Sequence, residues 1–69
     1  MSQVGRKLIS EKVTQLRKGL GLNREELSLQ LGLDNSYISK LERCKVNIPI
    51  DRLEEIACFF KLSIKDFFN

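Results

Sequence analysis

The chain has 69 residues, 42% of them hydrophobic and 30% charged, a composition typical of a single folded domain spanning residues 1–69. It has no histidine, only two cysteines, no glycine-rich phosphate loop and no apolar run near the roughly 20 residues of a membrane helix. These absences argue against a metal site, a cofactor, a membrane span and an enzyme. The net charge of +3 is uneven: residues 1–47 carry nine Lys or Arg against five Asp or Glu, and residues 48–69 carry three against four. With no signal-peptide pattern, we expect a cytoplasmic protein whose basic and near-neutral parts have different partners.

Apolar residues recur at helical spacing from the start of the chain. Ile9, Val13, Leu16 and Leu20 form one stripe, which predicts a first helix ending near Gly19–Gly21.

Two helices separated by a short turn are predicted next. Asn23 is placed to cap the second helix, with Glu26 completing a capping box, so this helix covers about residues 24–31. Gly32 ends it, and Asp34 caps a third helix from residue 35 to about 43. A turn of about three residues between helices predicts a helix-turn-helix over about residues 24–43.

The end of the chain also has helical spacing. Pro49 suits the first turn of a fourth helix, whose buried stripe is Leu53, Ile56, Ala57 and Phe60. Ser63 can cap a short fifth helix, with Asp66 at the capping-box position and Phe67 in the core. The sequence therefore predicts an all-α fold of five helices, with helices 4 and 5 at about residues 49–68.

The outer face of the third helix is polar. It carries Asn35, Ser36, Ser39, Lys40 and Arg43, which neither strengthen a helix nor fill a core. An α-helix fits the major groove of DNA, where Asn pairs with adenine, Lys with guanine, and Ser with several base edges. An ordinary solvated face is the other interpretation of the same residues, and the preceding helix and turn favour the DNA-reading one.

The run LRKGLGLNREELSLQLGLDNSYISKLERCKVN, followed by LEEIACFFKLSIKDFF, resembles the Cro/C1-type (XRE) helix-turn-helix transcriptional regulators. The resemblance covers about residues 9–68 and implies a lambda-repressor-like five-helix domain. The stretch YISKLER is also similar to small dimeric regulators of that family, including the controller proteins of restriction–modification systems. The resemblance implies a regulator that binds double-stranded DNA, with no small-molecule effector domain in this chain.

The resemblance also assigns roles to individual residues. Asn35, Ser36 and Lys40 match the base-reading positions, and Ser39 and Tyr37 beside them are counted with this group. Tyr37 has two interpretations: it touches the DNA backbone or a thymine methyl, or it packs at the edge of the helix. Arg24, Arg43 and Lys45 match phosphate contacts, and Arg24 is also expected to buttress the third helix. Arg17 and Glu42 match a partly buried ion pair between the first and third helices.

Three positions depart from the family pattern. Cys44 stands where glycine is common, so a left-handed backbone there would cost about 1 kcal/mol unless the helix ends differently. Pro49 lies one residue later than the usual proline, so the entry to helix 4 is expected to differ. Arg24 replaces an amide that both donates and accepts, which weakens its expected role as a buttress.

A single third helix offers too few base contacts to select one site in a genome, so a homodimer on a near-palindromic operator is expected. Phe59, Ile64 and Phe68 supply surplus apolar surface in the near-neutral tail, and we expect them to form the dimer interface. A second hypothesis is an antitoxin-type protein-binding module that also binds DNA, which a co-purifying toxin would reveal. The role of the exposed-face Leu29 is unexplained.

Overall fold

The computed structural model describes the backbone of residues 3–68 and the side chains of residues 5–67. Its elements are the helices α1 (Gln3–Gly19), α2 (Arg24–Gln30), α3 (Tyr37–Glu42) and α4 (Ile50–Phe59), and a 3-10 helix (Ile64–Phe68). The all-α prediction is confirmed over these residues, which contain no strand. The predicted fifth helix is a 3-10 helix, so the described part of the chain has four α-helices and not five. No helix among the described residues is both long and apolar enough to cross a membrane.

All four α-helices and the 3-10 helix contribute residues to one core, and the connection before α4 adds Ile48. The buried hydrophobic residues are Ile9, Val13, Leu27, Ile38, Leu41, Ile48, Leu53, Ile56, Ala57 and Phe67. Leu16 and Phe60, which were predicted as packing residues, are only partly buried against this cluster. Leu20 was wrongly placed on the buried stripe: it is 56% exposed because α1 ends at Gly19 and the chain turns there.

Every α-helix ends with the same backbone arrangement. The second residue after the helix has a positive φ, and the N–H of the residue that follows it donates to a carbonyl five residues back, which is the Schellman pattern. Gly21 and Gly32 adopt this conformation after α1 and α2, whereas Cys44 (φ 59°) and Lys61 (φ 60°) adopt it after α3 and α4. The third helix therefore ends with a left-handed backbone that usually requires glycine, although the residue at that position is Cys44.

The helix starts follow the sequence less uniformly. The predicted capping box of α2 is confirmed, since Asn23 Oδ1 accepts from the Glu26 N–H at 2.7 Å and Glu26 Oε1 accepts from the Asn23 N–H at 2.8 Å. The prediction that Asp34 caps the third helix is wrong, because α3 starts at Tyr37 and Ser36 occupies its N-cap position. Pro49 is the N-cap residue of α4, one position before the first turn where it was expected.

A buried hydroxyl joins the two helices of the helix-turn-helix. Ser28 is fully buried; its Oγ donates to the Arg24 carbonyl at 2.9 Å and accepts from the Ile38 N–H at 3.0 Å. The Ile38 N–H belongs to the first turn of α3, where backbone donors have no partner within the helix. Ser28 thus both permits close packing and fixes the start of α3 against α2.

Candidate nucleic-acid interface

The predicted base-reading residues lie on the outer side of α3 and the turn before it. Asn35 and Lys40 are exposed, and their side chains have no hydrogen-bond partner among the described residues. Ser36 and Ser39 are half-buried, and the Ser36 Oγ donates to Asp34 Oδ2 at 2.8 Å. The structure therefore brings these four residues onto one surface that is polar and largely open to a ligand.

Tyr37 lies at the edge of this surface and faces α4. The guanidinium carbon of Arg52 is 5.6 Å from the centre of its ring, a cation–π distance. Burial raises the pKa of Tyr37 above its ordinary value, the Arg52 charge opposes this, and the Glu55 charge adds to it. Part of the Tyr37 ring is thus engaged with the fold, and any contact with a ligand falls to the remaining exposed part.

The carboxylate at the end of α3 is held by two arginines. Arg17 Nε donates to Glu42 Oε2 at 2.8 Å, and Arg17 Nη2 donates to Glu42 Oε1 at 3.4 Å. Arg24 Nε donates to the same Oε1 at 2.8 Å. Arg17 also donates to the Leu22 carbonyl at 2.8 Å, so one buried guanidinium joins α1, the turn after it, and α3.

The two arginines differ in their exposure to solvent. The side chains of Arg17 and Glu42 are 9% and 6% exposed, whereas that of Arg24 is 57% exposed. Because surface ion pairs contribute little and buried ones are costly to break, the Arg17 bond matters more to the fold than the Arg24 bond. Arg24 does contact α3, as expected of a buttress, although it replaces the usual amide.

The pKa of Glu42 reflects this environment. Burial acts to raise it, but the hydrogen bonds and charges of Arg17 and Arg24 together outweigh burial and hold the pKa below its ordinary value. Glu42 is therefore ionised at neutral pH, and its negative charge balances the positive charge of the buried Arg17.

Two cations follow α3 directly. Arg43 and Lys45 are exposed, and neither forms an ion pair with any described residue. They flank Cys44, whose left-handed backbone reverses the chain at the end of the helix. The predicted phosphate-contacting residues are thus available to an anion beside the polar surface of α3.

The predicted dimer residues belong to α4 and the 3-10 helix and not to α3. Phe59 and Ile64 are partly buried against the protein's own core, and the Phe59 ring meets Phe60 edge-on at 5.1 Å. Phe68 was also predicted to lie in the dimer interface, but its side chain is outside the described residues. Phe59 also lines a shallow cleft of about 580 Å³ between α2 and α4, together with Leu31 and Cys58.

Sequence reasoning missed two contacts that position α3. Apart from the small size of Ser28, nothing in the sequence indicated that its Oγ accepts a hydrogen bond from the Ile38 N–H. The contact of Arg52 with Tyr37 joins α4 to α3 across 15 positions, and a lone arginine on an exposed face does not reveal it.

Comparison with known proteins agrees with this geometry. A family model described as helix-turn-helix matches residues 13–67. A Neisseria meningitidis protein named as a hypothetical transcription factor is 35% identical over 52 residues, covering 75% of this chain and 49% of its own length. An uncharacterised helix-turn-helix-type transcriptional regulator of Sinorhizobium fredii is 36% identical over 52 residues, covering 75% of this chain and 68% of its own length.

One solved structure is also similar. The crystal structure of the hypothetical transcription factor NHTF from Neisseria matches with a TM-score of 0.85 and 28% identity, over 93% of this chain and 74% of that one. The chain spans about half the length of the Neisseria meningitidis relative, so the comparison concerns the domain and not that whole protein. The match across most of the sequence, together with the fold, shows that the chain belongs to the XRE-type helix-turn-helix family.

Proposed function

We propose that this chain is the double-stranded DNA-binding module of a transcriptional regulator and that α3 reads a specific sequence from the major groove. The observation that carries the proposal is the division of α3 into two faces. Its inner face is tied by Ser28 and by the ion pairs of Glu42, whereas Asn35 and Lys40 on the outer side have no partner among the described residues. A rigidly held helix with unpartnered donors is suited to base recognition.

In this proposal the polar residues divide into two groups. Asn35, Ser36, Ser39 and Lys40 read base edges, and Tyr37 contributes the exposed part of its ring or its hydroxyl. Arg24, Arg43 and Lys45 bind phosphates, which sets affinity and register without reading sequence.

Arg24 is able to hold α3 and bind a phosphate at the same time. Its Nε donates to Glu42, while its two Nη groups form no hydrogen bond with any described residue. A guanidinium presents five N–H donors in a fixed plane, so the Nη groups remain free for an anion. This arrangement supports the dual role expected of Arg24.

The proposal includes a homodimer. One α3 supplies only a few base contacts, and a two-fold dimer doubles them by placing two such helices about 34 Å apart, one turn of DNA. The near-neutral region around Phe59, Ile64 and Phe68 is the proposed interface, because it leaves the basic surface free.

Selection of bound sequences from a pool of random duplex DNA tests the proposal. We expect the selected duplexes to share a near-palindromic motif with half-sites about 10 base pairs apart. Sedimentation at micromolar concentration is expected to give about twice the 8.0 kDa mass of the chain. A folded protein that enriches no sequence, or that stays monomeric both free and on DNA, would contradict the proposed specificity or the proposed dimer, respectively.

A further inference from the structure

We infer that Arg6, at the start of α1, is a positioning residue for DNA binding: it orients the side-chain amide of Asn47 so that its N–H groups face a DNA phosphate. This inference rests on the proposed DNA-binding function and adds to it a contact outside the helix-turn-helix. It starts from one hydrogen bond, in which Arg6 Nη2 donates to Asn47 Oδ1 across 41 positions of the sequence.

Asn47 lies on the same side of the chain as a predicted phosphate contact. In the connection between α3 and α4, Val46 and Ile48 pack toward the core, whereas Lys45 and Asn47 are exposed. This alternation turns Lys45 and Asn47 outward together. Asn47 therefore stands next to the cationic surface that begins at Arg43.

The chemistry of the contact fixes which end of the amide faces outward. A guanidinium has only donors, so only the Oδ1 of Asn47 can face Arg6. The Nδ2 then points away from Arg6, and it has no hydrogen-bond partner among the described residues. Without Arg6 the amide is free to turn over and present its oxygen, which a phosphate would repel.

Arg6 itself shows features of a functional rather than a stabilising residue. Its Nε is buried and has no hydrogen-bond partner among residues 5–67, an arrangement that folding alone disfavours. No carboxylate of these residues lies within ion-pair distance of its guanidinium. The positive charge therefore has no ion-pair partner among the described residues, and it polarises the Asn47 amide toward an anion.

The test is a double-mutant cycle on DNA affinity, using a duplex of about 20 base pairs of mixed sequence, because a phosphate contact does not depend on sequence. We expect Asn47→Ala and Arg6→Gln each to weaken binding about tenfold, roughly the effect of one hydrogen bond to a charged group. In the Asn47→Ala background, Arg6→Gln should cost no more than the loss of one nearby positive charge.

Lys7→Gln measures that charge effect. Lys7 is the exposed neighbour of Arg6 on α1, and its side chain forms no hydrogen bond or ion pair with any described residue. Thermal melts of all variants exclude unfolding as the cause of weak binding. In NMR spectra of the wild type, the Asn47 amide N–H signals should shift when the duplex is added, and this shift should shrink in Arg6→Gln.

Other outcomes would overturn the inference. Additive effects of Arg6→Gln and Asn47→Ala would mean that Arg6 does not act through Asn47. A salt dependence shallower by about one counterion in Arg6→Gln than in Lys7→Gln would mean that Arg6 binds a phosphate itself. If the folded wild type binds no duplex at all, the proposed DNA-binding function fails, whereas wild-type binding with an additive cycle defeats only the role of Arg6.

Discussion

The two faces of α3 treat their polar groups in opposite ways. On the inner face, Glu42 accepts from two arginines and the Ile38 N–H is satisfied by Ser28. On the outer side, Asn35 and Lys40 have no partner among the described residues. Under the proposed function, separate residues therefore hold the helix and recognise the DNA, so mutation should separate stability from DNA affinity.

The largest expected effect lies on the inner face. Glu42→Ala leaves the buried Arg17 guanidinium without its carboxylate, and we expect the free energy of unfolding to fall by about 2–4 kcal/mol. Chemical denaturation followed by circular dichroism measures it. The matched control is Arg24→Ala, which removes the exposed arginine from the same carboxylate and should cost about 0.2–1 kcal/mol.

Equal losses in Glu42→Ala and Arg24→Ala would contradict this distinction, because they would show that exposure does not decide the strength of the two pairs.

The next effect lies on the outer face and should appear only in binding. We expect Lys40→Ala to weaken binding to the selected DNA site by about 1–3 kcal/mol and to relax the preference at one base pair per half-site. Its thermal melt should remain that of the wild type, because Lys40 is exposed and its side chain has no partner among the described residues. Titration of specific and random duplexes by fluorescence anisotropy distinguishes a loss of base recognition from a general loss of DNA affinity.

Arg43→Ala is the control for Lys40→Ala. It should weaken binding to specific and random duplexes alike and reduce the salt dependence by about one counterion. A Lys40→Ala variant that behaves in the same way would remove Lys40 from base recognition.

The helices themselves could largely be predicted from the sequence because their determinants are local. Helical spacing and capping residues set the elements, and the Asn23–Glu26 capping box is present as predicted. The pairing of Arg17 with Glu42 spans 25 positions, and only the family resemblance indicated it.

The rest depended on three-dimensional placement. Leu20 continues the apolar stripe in sequence but falls beyond the end of α1, so spacing alone misplaced it. The sharing of Glu42 by Arg24, and the contact of Arg6 with Asn47, join side chains 18 and 41 positions apart. No periodic pattern carries such contacts, because they depend on how the helices pack.

The third prediction uses the end of α3, where the inner and outer faces meet. Cys44 holds a left-handed backbone (φ 59°), so Cys44→Gly should stabilise the fold by about 1 kcal/mol. This gain is net of the weak 3.5 Å contact from Cys44 Sγ to Ser10 Oγ, which the substitution removes. Thermal melts measure the change, and DNA affinity should stay the same.

Gly32→Ala is the matched control, since Gly32 has a similar φ of 73° and should lose about as much stability as Cys44→Gly gains. A Cys44→Gly variant that is less stable than the wild type would mean that the thiol contributes more than the backbone strain costs.

The smallest effect is expected from acid. The pKa of Glu42 is lower in the folded protein than in the unfolded chain, so its ionised form contributes stability that is complete above the unfolded pKa. That contribution is lost as the pH falls through the folded pKa. The difference in unfolding free energy between the wild type and Glu42→Gln should therefore shrink on acidification. If this difference stays constant down to low pH, the stability that Glu42 contributes does not depend on its ionisation.

The helix ends also bear on the order in which the molecule assembles. Each Schellman end is closed by a hydrogen bond between residues five positions apart, so these turns can form within the time a single helix needs. The arginine contacts across 25 and 41 positions require the chain to close long loops first. We therefore expect helices with defined ends to appear early in folding and the side chains that fix α3 and its following connection to be placed last.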